Sequence, residues 1–119
     1  MTDFLIFSVP GKPQGKQRAR RGRGGHFYTP KETRLFERRV AWAAKRALGW
    51  SMGDYIGPVE LAVTCYFSDR RRRDADNVLK SVSDALNGVC YKDDSQIVRC
   101  EARRLVGEPR TAVTVGWLE

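Results

Sequence analysis

Several ingredients are scarce in this chain of 119 residues, and each scarcity removes a class of protein. No window approaches the roughly 18 consecutive apolar residues of a membrane span. The opening MTDFLIFSVP lacks the basic-then-apolar order of a signal peptide, so a cytoplasmic protein is expected. Cysteine occurs at Cys65, Cys90 and Cys100, an odd number without a C-x-x-C pair. That argues against structural zinc and a disulfide framework, and reduced thiols suit the same compartment. Histidine occurs once, as His26, with no acid or serine partner marked by the sequence, so a hydrolytic triad is unsupported. Internal repeats are absent.

What is abundant is positive charge. Lys and Arg exceed Asp and Glu to give a formal net charge of +8. A small basic domain reads as a binder of polyanions, with nucleic acid ahead of an acidic membrane. The charge is also unevenly placed: residues 11–26, GKPQGKQRARRGRGGH, carry six basic side chains, five glycines and no acid. This stretch is expected to be a flexible basic loop, or one that orders on a polyanion.

Hydrophobic content of 41% with 30% charged residues is that of a globular chain, and the length suits one domain over 1–119. DFLIFSV (3–9) reads as a strand closed by Pro10-Gly11. Thr29-Pro30 opens a helix in which Phe36, Val40, Ala43, Ala47 and Trp50 form an apolar stripe, placing Trp50 in the core and favouring the same for Trp42. The small alanines suit packing on a sheet better than insertion into lipid. VELAVTCYF (59–67) alternates as a strand. Asp76–Leu86 reads as a second helix capped by Asp74 and stopped by Asn87-Gly88. Gln96–Val106 and Thr111–Trp117, joined by GEPR, read as a hairpin. The expected fold is α+β: one mixed sheet of about four strands packed against two helices.

The segment DRRRRDADNVLKSVSDAL (69–86) carries the chemistry. Asp74 and Asp76 at a strand-to-helix junction offer two oxygen sets to a hard cation such as Mg²⁺. Lys80 follows one turn after Asp76 on the same face. Asp93 and Asp94 are expected to return to the same end of the sheet. Such a cluster with a bound metal supplies what phosphodiester cleavage needs: an acidified water and neutralised phosphate charge. The plainer alternative makes Asp74 a cap, Asp76–Lys80–Asp84 a solvated ladder and Asp93-Asp94 a turn. An EF-hand is excluded because Val78 occupies its third ligand position. Arg70, Arg71, Arg72 and Arg73 suit phosphate contact, and Lys16, Arg18, Arg20, Arg21 and Arg23 form a second basic patch. Such contacts position DNA without reading its sequence.

An arginine run into D-x-D-N, a lysine four residues after the second aspartate, and YKDDSQIV beyond it resemble the signature of the RusA family of Holliday junction resolvases. VPGKPQGKQRAR and YTPKET also resemble the start of its phage-type members. The resemblance implies a Mg²⁺-dependent endonuclease, with Mn²⁺ as an alternative metal, working in a bacterial or phage-infected cell. It implies Asp74, Asp76 and Asp94 as metal-binding catalytic carboxylates, with Asp93 as the alternative to Asp94, and Lys80 as the catalytic lysine. It further implies a homodimer that nicks two strands of a four-way junction symmetrically, leaving 5′-phosphate and 3′-hydroxyl ends, in DNA recombination and repair. Strand faces near Val98 and Val113 are candidate dimer surfaces. Two other readings share these residues: a non-catalytic DNA-binding module, and a Mg²⁺-dependent nuclease of flaps or duplexes.

Overall fold

A computed structural model of the chain describes residues 3–118. The first strand, β1, runs Asp3–Pro10 and buries Leu5, Phe7 and Val9, the alternate positions of its sequence. A loop containing a short ribbon, β2 (Arg20–Arg21) against β3 (Phe27–Tyr28), leads to helix α1, Lys31–Leu48. Strand β4 (Val59–Phe67) follows, then helix α2 (Ala75–Ala85), β5 (Ile97–Val106) and β6 (Arg110–Trp117). The main sheet has the order β1-β6-β4-β5, with β5 parallel to β4 and β6 antiparallel to β1 and β4. The mixed four-stranded sheet and its two helices are the α+β architecture expected from the sequence.

Strand β4 lies inside the sheet, and Val59, Leu61, Val63, Cys65 and Phe67 all point into the core. There they meet Val40 of α1, Val82 of α2 and Val113 and Val115 of β6 in one apolar cluster. Burial raises the thiol pKa of Cys65 to about 11 and of Cys90 to about 12, so both are inert neutral thiols near pH 7. All three cysteines are free. Among the described residues, no helix is long and apolar enough to cross a membrane.

Three expectations need correction. The buried stripe of α1 is Thr33, Phe36, Val40, Ala44 and Leu48, so Ala43 is only half-buried and Ala47 is exposed. Gly49 ends the helix in the left-handed region (φ 80°), which turns the chain away before Trp50, 68% exposed. Trp42 is 60% exposed, with Arg46 stacked 5.2 Å from its ring centre. Neither tryptophan is in the core.

The last two strands do not form a hairpin, because β4 lies between them. The backbone N–H of Gly107 donates to the carbonyl of Phe67, so the connecting turn crosses over the end of β4. The burial pattern gives the reason. Strand β6 buries Thr111, Val113, Val115, Gly116 and Trp117 and needs neighbours on both sides, whereas the charged β5 is exposed along almost its whole length and suits an edge. The same arrangement corrects the dimer candidates: Val113 is sealed in the core, while Val98 on β5 is 65% exposed.

Candidate active site

Beyond Phe67 the chain leaves the sheet and the arginine block is folded around one acid. Asp69 accepts a hydrogen bond from the backbone N–H of Arg71 at 2.9 Å and an ion pair from Arg73 at 2.6 Å. These contacts, Arg73 first, pull the Asp69 carboxyl down to about 2. The Arg73 guanidinium is held charged by the same pair and lies 4.3 Å over the Phe67 ring. Arg104 of β5 donates to the Arg73 carbonyl at 2.8 Å. Arg73 is therefore a structural pin for the loop, and Arg70, Arg71 and Arg72 stand exposed around it. The 69/73 spacing is an i,i+4 acid–base pair, a signal present in the sequence but masked by the neighbouring arginines.

Helix α2 begins directly after this loop. Asp74 is its N-cap and accepts from the Asp76 backbone N–H at 3.1 Å, as the cap expectation required. Asp76 lies in the first turn, and both carboxylates are exposed beside the positive end of the helix. Lys80 is exposed one turn further on. A strap from the N-terminal loop crosses the same place. The Lys16 backbone N–H donates to the Asn77 carbonyl at 2.9 Å. Gly15 lies so close to Asn77 that an added Cβ would sit 3.1 Å from the Asn77 Cβ. Lys12, Gly15, Phe67, Arg73, Asp74 and Asn77 border a cleft of about 260 Å³ at this point.

The Lys16 side chain is not turned to solvent as a phosphate contact. Its ammonium bridges Glu37 of α1 at 2.8 Å and Asp84 of α2 at 3.0 Å. Burial works against its charge, but the hydrogen bonds it donates to the two carboxylates prevail and raise its pKa. Gln17 continues the strap onto Thr33 of α1. Beyond it Arg18, Arg20, Arg21 and Arg23 are all exposed on or beside the β2–β3 ribbon, together with His26 and Phe27. The exposed aromatics of this ribbon were not anticipated; two strand formers flanking a basic glycine turn were the available signal.

Asp93 and Asp94 do not return to the end of the sheet where they were expected. Because β5 runs parallel to β4, the segment before Ile97 lies beside Val59, at the end of the sheet opposite the Asp74–Asp76 corner. From Ala75 to Ala85 helix α2 rises by roughly 15 Å, and just beyond its end Asp94 accepts from the Asn87 side chain at 3.1 Å. Among the described residues, no three His, Cys, Asp or Glu side chains gather closely enough to hold a metal. Asp93 is tied up locally: it caps a short 3-10 turn, the Ser95 hydroxyl and then the Ser95 backbone N–H lower its pKa, and its own N–H donates to Gln96. Gln96 in turn donates to the carbonyls of Tyr55 and Gly57. Of the two aspartates, Asp94 has the freer carboxylate.

The pair Asp74 and Asp76 fits a Mg²⁺-type site on its own donor chemistry. Such ions take one or two carboxylates and fill the remaining positions with water and phosphate oxygens, and Asp74 uses only one oxygen as cap. Exposed carboxylates at a rigid corner, flanked by arginines, are the furniture of phosphodiester chemistry.

Comparison with known proteins agrees and defines the class: this is a DNA endonuclease. Residues 10–116 match the family model described as endodeoxyribonuclease RusA. The crossover junction endodeoxyribonuclease RusA of Escherichia coli K12 is 33% identical over 95 residues, covering 76% of this chain and 74% of that protein. The crossover junction endodeoxyribonuclease of Enterobacteria phage 82 is 35% identical over the same shares. The uncharacterized protein YqaN of Bacillus subtilis is 30% identical over 138 residues, covering 95% of this chain and 96% of that protein. The chain belongs to the RusA family of endodeoxyribonucleases.

Proposed function

We propose that this endonuclease resolves four-way DNA junctions as a homodimer, each subunit nicking one of two symmetry-related strands. The observation that carries the reading is the exposed Asp74–Asp76 pair at a rigid corner, with the Asp69-organised arginine loop beside it. Asp74 and Asp76 would hold Mg²⁺, or Mn²⁺ in its place. When bound, the metal supplies an acidified water and offsets charge on the phosphate. Lys80 stands one turn along the same helix, where an ammonium stabilises phosphate charge developing near Asp76. Arg70, Arg71 and Arg72 bind the strand to be cut, and Arg18, Arg20, Arg21 and Arg23 bind an adjoining arm. The proposed nicks carry 5′-phosphate and 3′-hydroxyl ends, which a ligase can join. The work belongs to DNA recombination and repair, in the cytoplasm of a bacterial or phage-infected cell.

Asp94 favours a dimer in particular. Within one chain it lies at the far end of α2 and β5, so it joins Asp74 and Asp76 only when a second copy packs antiparallel to the first. A twofold axis produces two such shared sites at once. That matches a junction, whose two continuous strands are themselves related by a twofold.

The test is cleavage of a synthetic four-way junction beside duplex and flap DNA of the same sequence, with and without Mg²⁺. Paired symmetric nicks on the junction, absent without metal and lost in Asp76→Asn with binding retained, are expected. Equal cutting of flap or duplex would make it a less selective nuclease. Tight binding without a cut under any divalent metal would make it a binding module.

A further inference from the structure

One prominent concavity is remote from the aspartates. A groove of about 820 Å³ lies between the free edge of β1 and the outer face of α1. One wall is the continuous run Ile6–Pro10. The other carries Arg38, Arg39, Trp42 and Arg46, and among the described residues no acid lines either wall. Ile6 and Trp42 are 65% and 60% exposed. An apolar trench under a single-sign fringe is unusual on the surface of a lone domain.

The strand edge itself is available. Gly11 N–H donates to the Pro109 carbonyl on the β6 side, so the odd-numbered residues of β1 turn their polar groups toward β6. The even-numbered residues Ile6 and Ser8 therefore present N–H and C=O to the groove. Pro10, which has no N–H to offer, falls on this side too, and its carbonyl accepts from Arg39, closing one end of the trench. A helix lying alongside an unpaired strand edge forms the slot in which an extended peptide adds as a further strand.

The geometry points to a peptide-docking site here: an extended, acidic segment of another protein pairs with β1 through Ile6 and Ser8. Its carboxylates meet Arg38 and Arg46, and an apolar side chain lies against Trp42. Three features select this occupant. Nucleic acid brings phosphate oxygens, which are acceptors only and would face the edge carbonyls of Ile6 and Ser8 unfavourably. A second copy pairing edge to edge would set the arginines of one α1 near those of the other. An acidic peptide offers alternating donors and acceptors to the strand and the opposite charge to the helix.

Fluorescence anisotropy with a labelled octapeptide alternating Asp with Ile and Phe tests this, beside the same peptide with Lys for Asp and an oligothymidylate. The acidic peptide should bind and the lysine version should not. Ser8→Pro deletes one edge N–H at an exposed edge position that tolerates proline, and it should weaken binding roughly tenfold. Arg38→Glu with Arg46→Glu should weaken it by more. Trp42→Ala, also at an exposed position, supplies an independent variant with unchanged Tm and reduced affinity. Perturbed amide resonances of Ile6 and Ser8 on titration would place the peptide on the edge. The proposal is overturned if the acidic peptide fails to bind, or binds all three variants equally. It is also overturned if oligothymidylate displaces the peptide, or if Ser8→Pro changes the sedimenting mass instead of peptide affinity.

Discussion

Replacing Lys16 with methionine separates two roles that one side chain could play. The side chain is about one-fifth exposed and clamps Glu37 and Asp84, tying the strap to both helices. The substitution keeps the aliphatic stem but deletes two charge-assisted hydrogen bonds. At this partial exposure each is worth about 0.5–1 kcal/mol. It also leaves two carboxylates within about 6 Å of each other, a repulsion of roughly 0.7 kcal/mol at the dielectric constant of water. The sum is about 2 kcal/mol, which for a chain of this length lowers Tm by roughly 6–10 °C.

The pH dependence has a definite sign. Because the folded-state pKa of Lys16 is raised above 10.5, the clamp contributes fully below that value and is lost only as pH climbs past the folded pKa. The Tm gap between Lys16→Met and the parent should therefore be constant from pH 6 to 9 and shrink in stronger alkali. The companion assay is junction binding against salt. If Lys16 is a strut, the substitution leaves the slope of log K on log salt unchanged. If its ammonium instead neutralises a phosphate, the slope falls by about one. An unchanged Tm with a shallower slope would refute the clamp and restore Lys16 to the DNA-binding set.

Two further outcomes follow from the same geometry. Asp69→Asn should free the Arg73 pin and speed tryptic cutting at Arg70–Arg73, with little change in Tm. Since the Asp69 carboxyl is held near 2, the parent loop should stay protected above pH 4 and loosen only as pH falls toward 2. Asp93→Ala should cost about 1 kcal/mol through loss of its cap, read as a lower midpoint in urea, while Asp94→Asn should keep the parent midpoint and lose cleavage. Loss of cleavage in Asp93→Asn with full activity in Asp94→Asn would reverse that assignment.

Local chemistry was legible from the sequence and long-range placement was not. The alternation of Val59–Phe67, the Asp74 cap and the Gly88 stop depend on neighbours within a turn, and all three are as expected. Trp50 was misplaced because the apolar spacing of α1 continues past Gly49, although a left-handed residue ends the helix there. The hairpin of β5 and β6 was the local solution to a short turn. What overrides it is the need of β6 for two covered edges, a property of the whole sheet. Strand order then decides the site. Once β5 is parallel to β4, Asp94 must lie at the end of the sheet away from Asp74, and no spacing in the sequence states that. The arginine block was legible as basic but not as folded, because the contacts of Asp69 and Arg104 on Arg73 are tertiary.

The most direct test of a site shared between two copies is subunit mixing. Asp76→Asn and Asp94→Asn proteins, each inactive alone, are denatured together, refolded and offered a four-way junction with Mg²⁺. In a mixed dimer one site collects both substitutions and the other is intact. Random pairing should therefore restore nicking to about a quarter of the parent level, with single nicks in place of paired ones. If the mixture stays as inactive as its parts while mixed dimers are shown to form, Asp94 does not complete the Asp74–Asp76 site across the twofold.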